Sequence, residues 1–182
     1  MVSETPAWLD VNGERRVVLS CSPGELHELA AGHLLTEGWI DDVADMLRCD
    51  VLHGGVSTDT AVERAAAAEA LRTHQRVHGC GLRHHLDCVT PSHHEWRGAP
   101  ASDTALLLRA LFAETDEAAR DGGVHGAAIS DGASLLHVRA DVARHCAVDR
   151  VIGAALLAGT DMTQCGLVLT ARVSGAIAWK AV

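Results

Sequence analysis

Two cysteines and three histidines stand within the eleven residues "HGCGLRHHLDC", positions 78–88. Thiols and imidazoles are the side chains that act as nucleophiles and as ligands for zinc, iron or copper, so two chemistries compete for this stretch. Cys80 lies between Gly79 and Gly81. Glycine on both sides lets the backbone bend and present a side chain to a visitor. Arg83 and His84 follow closely and would favour the thiolate, the nucleophilic form. The alternative is a metal or haem centre, binding zinc, iron or haem through His78, Cys80, His84, His85 and Cys88. His84 and Cys88 would share a face if the segment is helical. His93, His94, His145 and Cys146 are further ligand candidates. The cysteines at 21, 49, 80, 88, 146 and 165 contain no Cys-x-x-Cys pair, and the deaminase zinc signature His-x-Glu is missing because Gly126 and Ala127 follow His125. The third reading is a thiol without function.

Composition narrows the partners. The chain has 182 residues, enough for one ordinary domain or one with a small extension. Hydrophobic residues make up 48%, but with one Phe, four Trp and no Tyr the core must be built from Ala, Val and Leu. The net charge of −9 argues against a nucleic-acid binder, which needs Lys and Arg in excess. A small anion held by local cations and backbone amides stays compatible with it. The first ten residues have no signal-peptide pattern, and no stretch approaches the roughly 18 apolar residues that cross a bilayer. The expectation is a cytoplasmic protein with reduced thiols and no membrane partner.

The elements that would position these groups can be read from patterning. "RRVVLSC", 15–21, predicts a strand. Ser22-Pro23-Gly24-Glu25 has the form of a capping box, with Pro23 at the first helical position. Leu26, Leu29, Ala30 and Leu34 then follow helical spacing up to Gly38. Residues 50–53 predict a short strand and "GGVSTD" a loop. The alanine-rich segment from Thr60 is ambiguous between helix and, over 60–64, strand. Residues 89–102 read as a connection. A helix over 103–119 would be capped by Ser102 and bury Leu106, Leu107, Ala110 and Leu111. "HGAAIS" and "SLLHVR" predict strands joined by a tight turn, "RHCAVDRVIGAALLA" a helix, "CGLVLTA" a strand and "GAIAWKA" a helix. This order suggests a three-layer α/β arrangement. The chain reaches Val182 only about two turns into its last helix, where such a sheet ordinarily adds a strand. The sequence therefore predicts a short sheet whose edge a second copy or a separately encoded partner would cover.

Several segments, in order, resemble one family. "LAAGHLLTEGWI" (29–40) is similar to a Leu-Ala-x-Gly-Phe-Leu-x-x-Glu-Gly segment, and "GCGL" (79–82) to a Cys-Gly-x-Cys-Gly loop. "GGVHGAAIS" (122–130) is similar to Gly-Gly-x-His-x-Ala-Ala, and "ADVARHCAVDRVIG" (140–153) to Glu-Asp-Val-Gly-Arg-His-Asn-Ala-x-Asp-Lys-x-Ile-Gly. "TARVSGAIAWKA" (170–181) resembles a Ser-Gly-Arg-Val-Ser segment. Together these resemble the formate dehydrogenase accessory sulfurtransferases (FdhD/NarQ type), with this chain a divergent, C-terminally short member. The departures are specific. Arg83 stands where the second loop cysteine would be, His33 replaces a Phe, Ala140 an acidic residue, Ala143 a glycine, Cys146 an asparagine and Ala176 a glutamate.

The resemblance implies a cytidine-deaminase-like three-layer α/β/α sandwich, usually dimeric. It would have a small N-terminal α+β part, residues 1–90, carrying the Cys80 loop, and an α/β part, residues 91–182. It implies that Cys80 takes persulfide sulfur from a cysteine desulfurase and passes it to the molybdenum guanine dinucleotide cofactor of a formate dehydrogenase-type molybdoenzyme. The residues implied for holding that cofactor are Gly123, His125, Arg144, His145, Asp149, Arg172 and Ser174. Plainer readings stand beside these. Asp149 could instead pair with Arg144 or Arg150, Lys180 could be a solvated charge, and His33 and Glu37 could be scaffold. The runner-up functions are a metal- or haem-dependent enzyme built on the same fold and a non-catalytic partner subunit.

Overall fold

The computed structural model describes residues 3–61, 101–119 and 123–181. Strand β1 (Thr5–Val11) alternates, with Ala7, Leu9 and Val11 buried and Trp8 and Asp10 on the other face. It pairs antiparallel with β2 (Glu14–Cys21) through a two-residue turn at Asn12-Gly13, both at positive φ. This is the chemistry a tight hairpin demands. The Asn12 side chain also ties the turn to the backbone and hydroxyl of Thr60. Strands β3 (Met46–Leu52) and β4 (Gly55–Thr60) form a second hairpin, and β4 lies parallel to β1, giving the order β2-β1-β4-β3. The expected "GGVSTD" loop is therefore β4. Its inward residues are Val56, Thr58 and Thr60, all buried. On the outer face the Trp8 ring occupies the space a side chain on Gly55 would need. A strand whose apolar content is supplied by its neighbour's tryptophan is hard to read from its own letters.

Helix α1 (Leu26–Thr36) begins three residues later than Pro23, the predicted first helical position, and without the expected capping box: Glu25 precedes it in a left-handed conformation and offers no side-chain cap. The Ser22 hydroxyl instead accepts from the Val142 amide. Helix α2 (Ala101–Ala119) starts early enough that Ser102 lies inside it. It buries Leu107, Leu111 and Thr115 at four-residue spacing, while Leu106 is 62% exposed and Ala110 is exposed. The buried stripe is thus rotated from the expected one.

The second sheet contains β5 (His125–Ser130), β6 (Leu135–Asp141) and β7 (Gly166–Leu169) in the order β6-β5-β7. Both pairings are antiparallel. Gly126 faces Leu111 and Thr115 of α2. Ala127 and Ile129 pack with Ala147, Val148, Val151 and Ile152 of α3 (Arg144–Leu157) on the opposite face. The short helix α4 (Gly175–Lys180) adds Ile177 to that cluster. Among the described residues the architecture is mixed α/β, with two sheets and four helices. No described helix is long and apolar enough to cross a membrane.

Helices α1 and α3 join the two sheets. Leu156 of α3 packs in the cluster of the four-stranded sheet, and Leu35 of α1 packs against the cluster of the three-stranded one. The crossing is close because both helices present glycine. A methyl group on Gly32 would collide with the Asp149 carbonyl, and one on Gly153 with the Glu28 carbonyl. Both obstacles are backbone and cannot rotate away. Gly153→Ala is expected to destabilise the protein by about 3 kcal/mol, read as a lowered midpoint in urea unfolding. A midpoint equal to that of the unaltered protein would show that the helices can separate freely.

Candidate functional site

Strand direction determines which predicted residues meet. In the three-stranded sheet His125 opens β5 opposite Asp141, which closes β6. At the same end β7 finishes beside Ala127, and Thr170 bonds to Gly126 through both its amide and its hydroxyl. The first residues of α3, Arg144 and His145, follow β6 directly, and Arg172 and Ser174 follow β7. Gly123, at φ 89, lies just before β5. Six of the seven residues expected to hold a ligand (Gly123, His125, Arg144, His145, Arg172 and Ser174) therefore belong to one end of one sheet; Asp149 does not. Because the sheet is antiparallel, this end mixes one strand's start with two strands' finishes. It is not the uniform carboxyl edge of a parallel sheet.

Two arginines, Arg144 and Arg172, belong to this end. Arg144 and His145 form the first turn of a fourteen-residue helix, whose free amides favour anions. The His145 Nε2 atom is enclosed and has no hydrogen-bond partner among the described residues. Burial, reinforced by the charges of Arg144 and Lys180, holds the His145 imidazole below its ordinary value, so it is neutral at pH 7. Ser174 caps α4 by accepting from the Ile177 amide at 3.5 Å. Arg172 is exposed.

Asp149 occupies a different environment. Its side chain is 2% exposed and lies where α1, α3 and α4 converge. Lys180 Nζ donates to its Oδ1 at 2.9 Å and to Oδ2 at 3.2 Å, Thr36 donates to Oδ1 at 2.9 Å, and His33 Nδ1 lies 3.1 Å from Oδ2. Burial alone would raise this carboxyl. The Lys180 charge and the His33 hydrogen bond outweigh it and bring the group to about 2. Lys180 also reaches the Thr36 hydroxyl at 2.8 Å and Glu37 at 3.2 Å. Its side chain is 6% exposed, so it is not the solvated charge that its position near the end of α4 suggests. His33 is the packed, hydrogen-bonded scaffold residue expected of it. Asp149 pairs with Lys180 rather than with Arg144 or Arg150.

Arg150 serves a second buried anion, one that the sequence did not single out. It donates to Asp141 through Nε at 2.7 Å, and its remaining nitrogens reach the Ser22 carbonyl, the Gly24 carbonyl and the Glu25 carboxylate. Asp141 also accepts from the amides of Ser22 and Ala143. The forked guanidinium can span these acceptors, where an ammonium would act as a single point. The result locks the loop before α1 onto the loop that leads into α3, immediately beside this end of the sheet. A network that joins residues 22–25 to residues 141–150 leaves no local signal.

The described thiols are not in nucleophilic settings. Burial pushes Cys21, Cys49 and Cys146 above the ordinary thiol value, with Asp141 and Asp149 adding to the shift at Cys146. Cys165 is raised too, by desolvation and by Asp131 and Asp161. Cys80, the candidate nucleophile, and the alternative ligands His78, His84, His85 and Cys88 lie outside the described residues. Among the described residues no group of three His, Cys, Asp or Glu is arranged to hold a metal.

Comparison with known proteins places this geometry. The sequence profile of the FdhD/NarQ family matches residues 2–182. The sulfur carrier protein FdhD of Xanthomonas campestris pv. campestris is 33% identical over 192 residues, spanning all of this chain and 68% of that protein. Its namesake from Bacillus pumilus is 30% identical, spanning all of this chain and 72% of its own length. A crystal structure from Desulfotalea psychrophila, provisionally described as a formate dehydrogenase accessory protein, superposes with a TM-score of 0.71 at 19% identity. It covers 98% of this chain and 68% of that one, a likeness of fold.

The Asp149 site yields a pH test. Asp149 sits below its unfolded value of about 3.9. Its contribution is therefore complete above about pH 4 and lost as pH falls toward 2. Lys180→Met leaves the buried carboxylate uncompensated and is expected to cost about 3–5 kcal/mol at pH 7. In that variant burial dominates and Asp149 rises above its unfolded value. A proton then relieves it, and the penalty shrinks as pH is lowered from 7 to 4. Urea unfolding at both pH values checks this, and a pH-independent penalty would contradict the pairing.

Proposed function

The chain belongs to the FdhD/NarQ family, and from that premise we propose that it is a sulfur carrier serving a formate dehydrogenase-type molybdoenzyme. The observation that carries the reading is the family match over residues 2–182, together with named sulfur carriers that this chain matches along its whole length. Cys80 is the carrier thiol. Its thiolate attacks the outer sulfur of a cysteine desulfurase persulfide. The donor's S–S bond breaks, the donor cysteine leaves as thiolate, and Cys80 becomes the persulfide. In the onward transfer the acceptor, in its reduced form, supplies the electron pair that bonds to the outer sulfur. The new S–S bond breaks and Cys80 leaves as thiolate. The sulfur ends at the sulfide level and the acceptor is oxidised by two electrons. One cysteine suffices for both halves, which accommodates Arg83 in place of a second loop cysteine. The raised values of the four described cysteines support this assignment, because a carrier needs the thiolate at neutral pH.

The acceptor substrate is the molybdenum guanine dinucleotide cofactor. Its phosphates suit the edge described above, where Arg144 and Arg172 supply charge, the first turn of α3 supplies amides, and Gly123, His125, His145 and Ser174 supply close approach and hydrogen bonds. Asp149 acts from behind this edge by holding Lys180, and does not touch the ligand. The α2–sheet–α3 layering supports reading the second half as a cytidine-deaminase-like α/β/α sandwich. The protein works in the cytoplasm as a homodimer.

Incubation with a cysteine desulfurase and cysteine is expected to add the mass of one sulfur atom to the intact protein, removable by a thiol reductant. Cys80→Ala should abolish the adduct while Cys146→Ala leaves it intact. An adduct that survives Cys80→Ala would remove Cys80 from the role.

A further inference from the structure

The buried lysine poses a question that the sulfur-transfer scheme leaves open. Helix α4 has six residues and follows directly on the segment carrying Arg172 and Ser174. Apolar burial within it amounts to Ala176 and Ile177, and Trp179 is 40% exposed. Such contacts hold a short helix down but leave it free to slide or roll. Lys180 removes that freedom. From α4 its ammonium reaches four oxygens on two other helices and the end of one of them: Asp149 Oδ1 and Oδ2, Thr36 Oγ1 and Glu37 Oε1, at 2.8–3.2 Å. Hydrogen bonds are directional, so several to one atom fix both distance and rotation. We propose that Lys180 is a positioning residue for the ligand edge: tied to Asp149, Thr36 and Glu37, it sets α4, and with it Arg172 and Ser174, against the first turn of α3. This rests on the reading of that edge as the nucleotide end of the acceptor.

The test separates positioning from stability. A buried ion pair can be replaced by apolar side chains with little loss of stability, whereas removing one partner is costly. Lys180→Met/Asp149→Leu is expected to recover a melting temperature near that of the unaltered protein, and to bind guanosine diphosphate at least about tenfold more weakly in calorimetry. Affinity within about twofold of the unaltered protein would overturn the proposal. Should the double variant not fold, Thr36→Val decides. It keeps the side-chain shape but removes one acceptor of Lys180 and one donor to Asp149, so some loss of melting temperature is expected. Binding, measured well below that temperature on protein shown to be folded, is expected to weaken about threefold. Unchanged affinity there overturns the proposal equally. If the unaltered protein binds no guanosine diphosphate, the nucleotide reading falls and this inference with it. If it binds and the variants bind as well, this inference alone falls.

Discussion

A carboxylate with almost no access to water persists as an anion only if the chain replaces the donors that water would have provided. Asp149 meets that condition with a hydroxyl and an imidazole from α1 and an ammonium from α4. Three helices must therefore arrive within hydrogen-bond range of one point, and that requirement organises the second half of the molecule. It also explains why α1 and α3 cross at glycines. Gly32 passes over the backbone of Asp149 itself. A larger residue there would push α1 outward and carry Thr36 and His33 away from the carboxylate they serve.

The Asp141–Arg150 pair does for the entry to α3 what Asp149–Lys180 does for its interior. Arg150 is fully buried and ties the 22–25 loop to the end of β6. The Gly24-Glu25 turn, with both residues at positive φ, is the strained part of that arrangement. It persists because the guanidinium gathers the carbonyls of Ser22 and Gly24 along with Glu25's own carboxylate. Both ion sites lie on α3 one residue apart, at 149 and 150, and point to different neighbours. The helix that begins with Arg144 and His145 is thus anchored by charge in two directions. That anchoring holds the first turn of α3, with Arg144 and His145, in place at this end of the sheet.

Where one local pattern fixes an element, the sequence was sufficient. The alternation in β2 and the strand–turn–strand letters of β5 and β6 describe elements whose neighbours matter little to their existence, and α3 and α4 likewise fall where their patterning put them. The family segments single out His125, Arg144, His145, Arg172 and Ser174, and strand register brings these to one end of one sheet. What the letters concealed was relational. β4 looks like a loop because Trp8 of another strand completes it. Ser22 and Glu25 mimic a capping box while their polar atoms are committed to Val142 and Arg150. Lys180, near a helix end, has the profile of a surface charge until its acceptors, at 36, 37 and 149, come into view. Side chains recruited by tertiary contact lose the meaning that their local sequence suggests.

The same electrostatics bears on where sulfur can reside. The chain carries 24 acidic against 15 basic residues, and the described thiols feel that excess. Burial is the main cause at Cys146, Cys21 and Cys49, and acidic neighbours add to it: Asp141 and Asp149 at Cys146, Asp141 at Cys21, Asp50 at Cys49. A thiol kept protonated is a poor nucleophile and a poor acceptor of sulfane sulfur. For Cys146 this has a particular sense. It occupies a position where an asparagine is usual in the resemblance, next to His145 and three residues before Asp149. Its burial against Ser20 and its acidic neighbours keep it in the neutral form. Cys80 differs in its immediate sequence, with a glycine on either side and Arg83 and His84 just downstream. Arg83 and His84 are the local cations that would favour its thiolate.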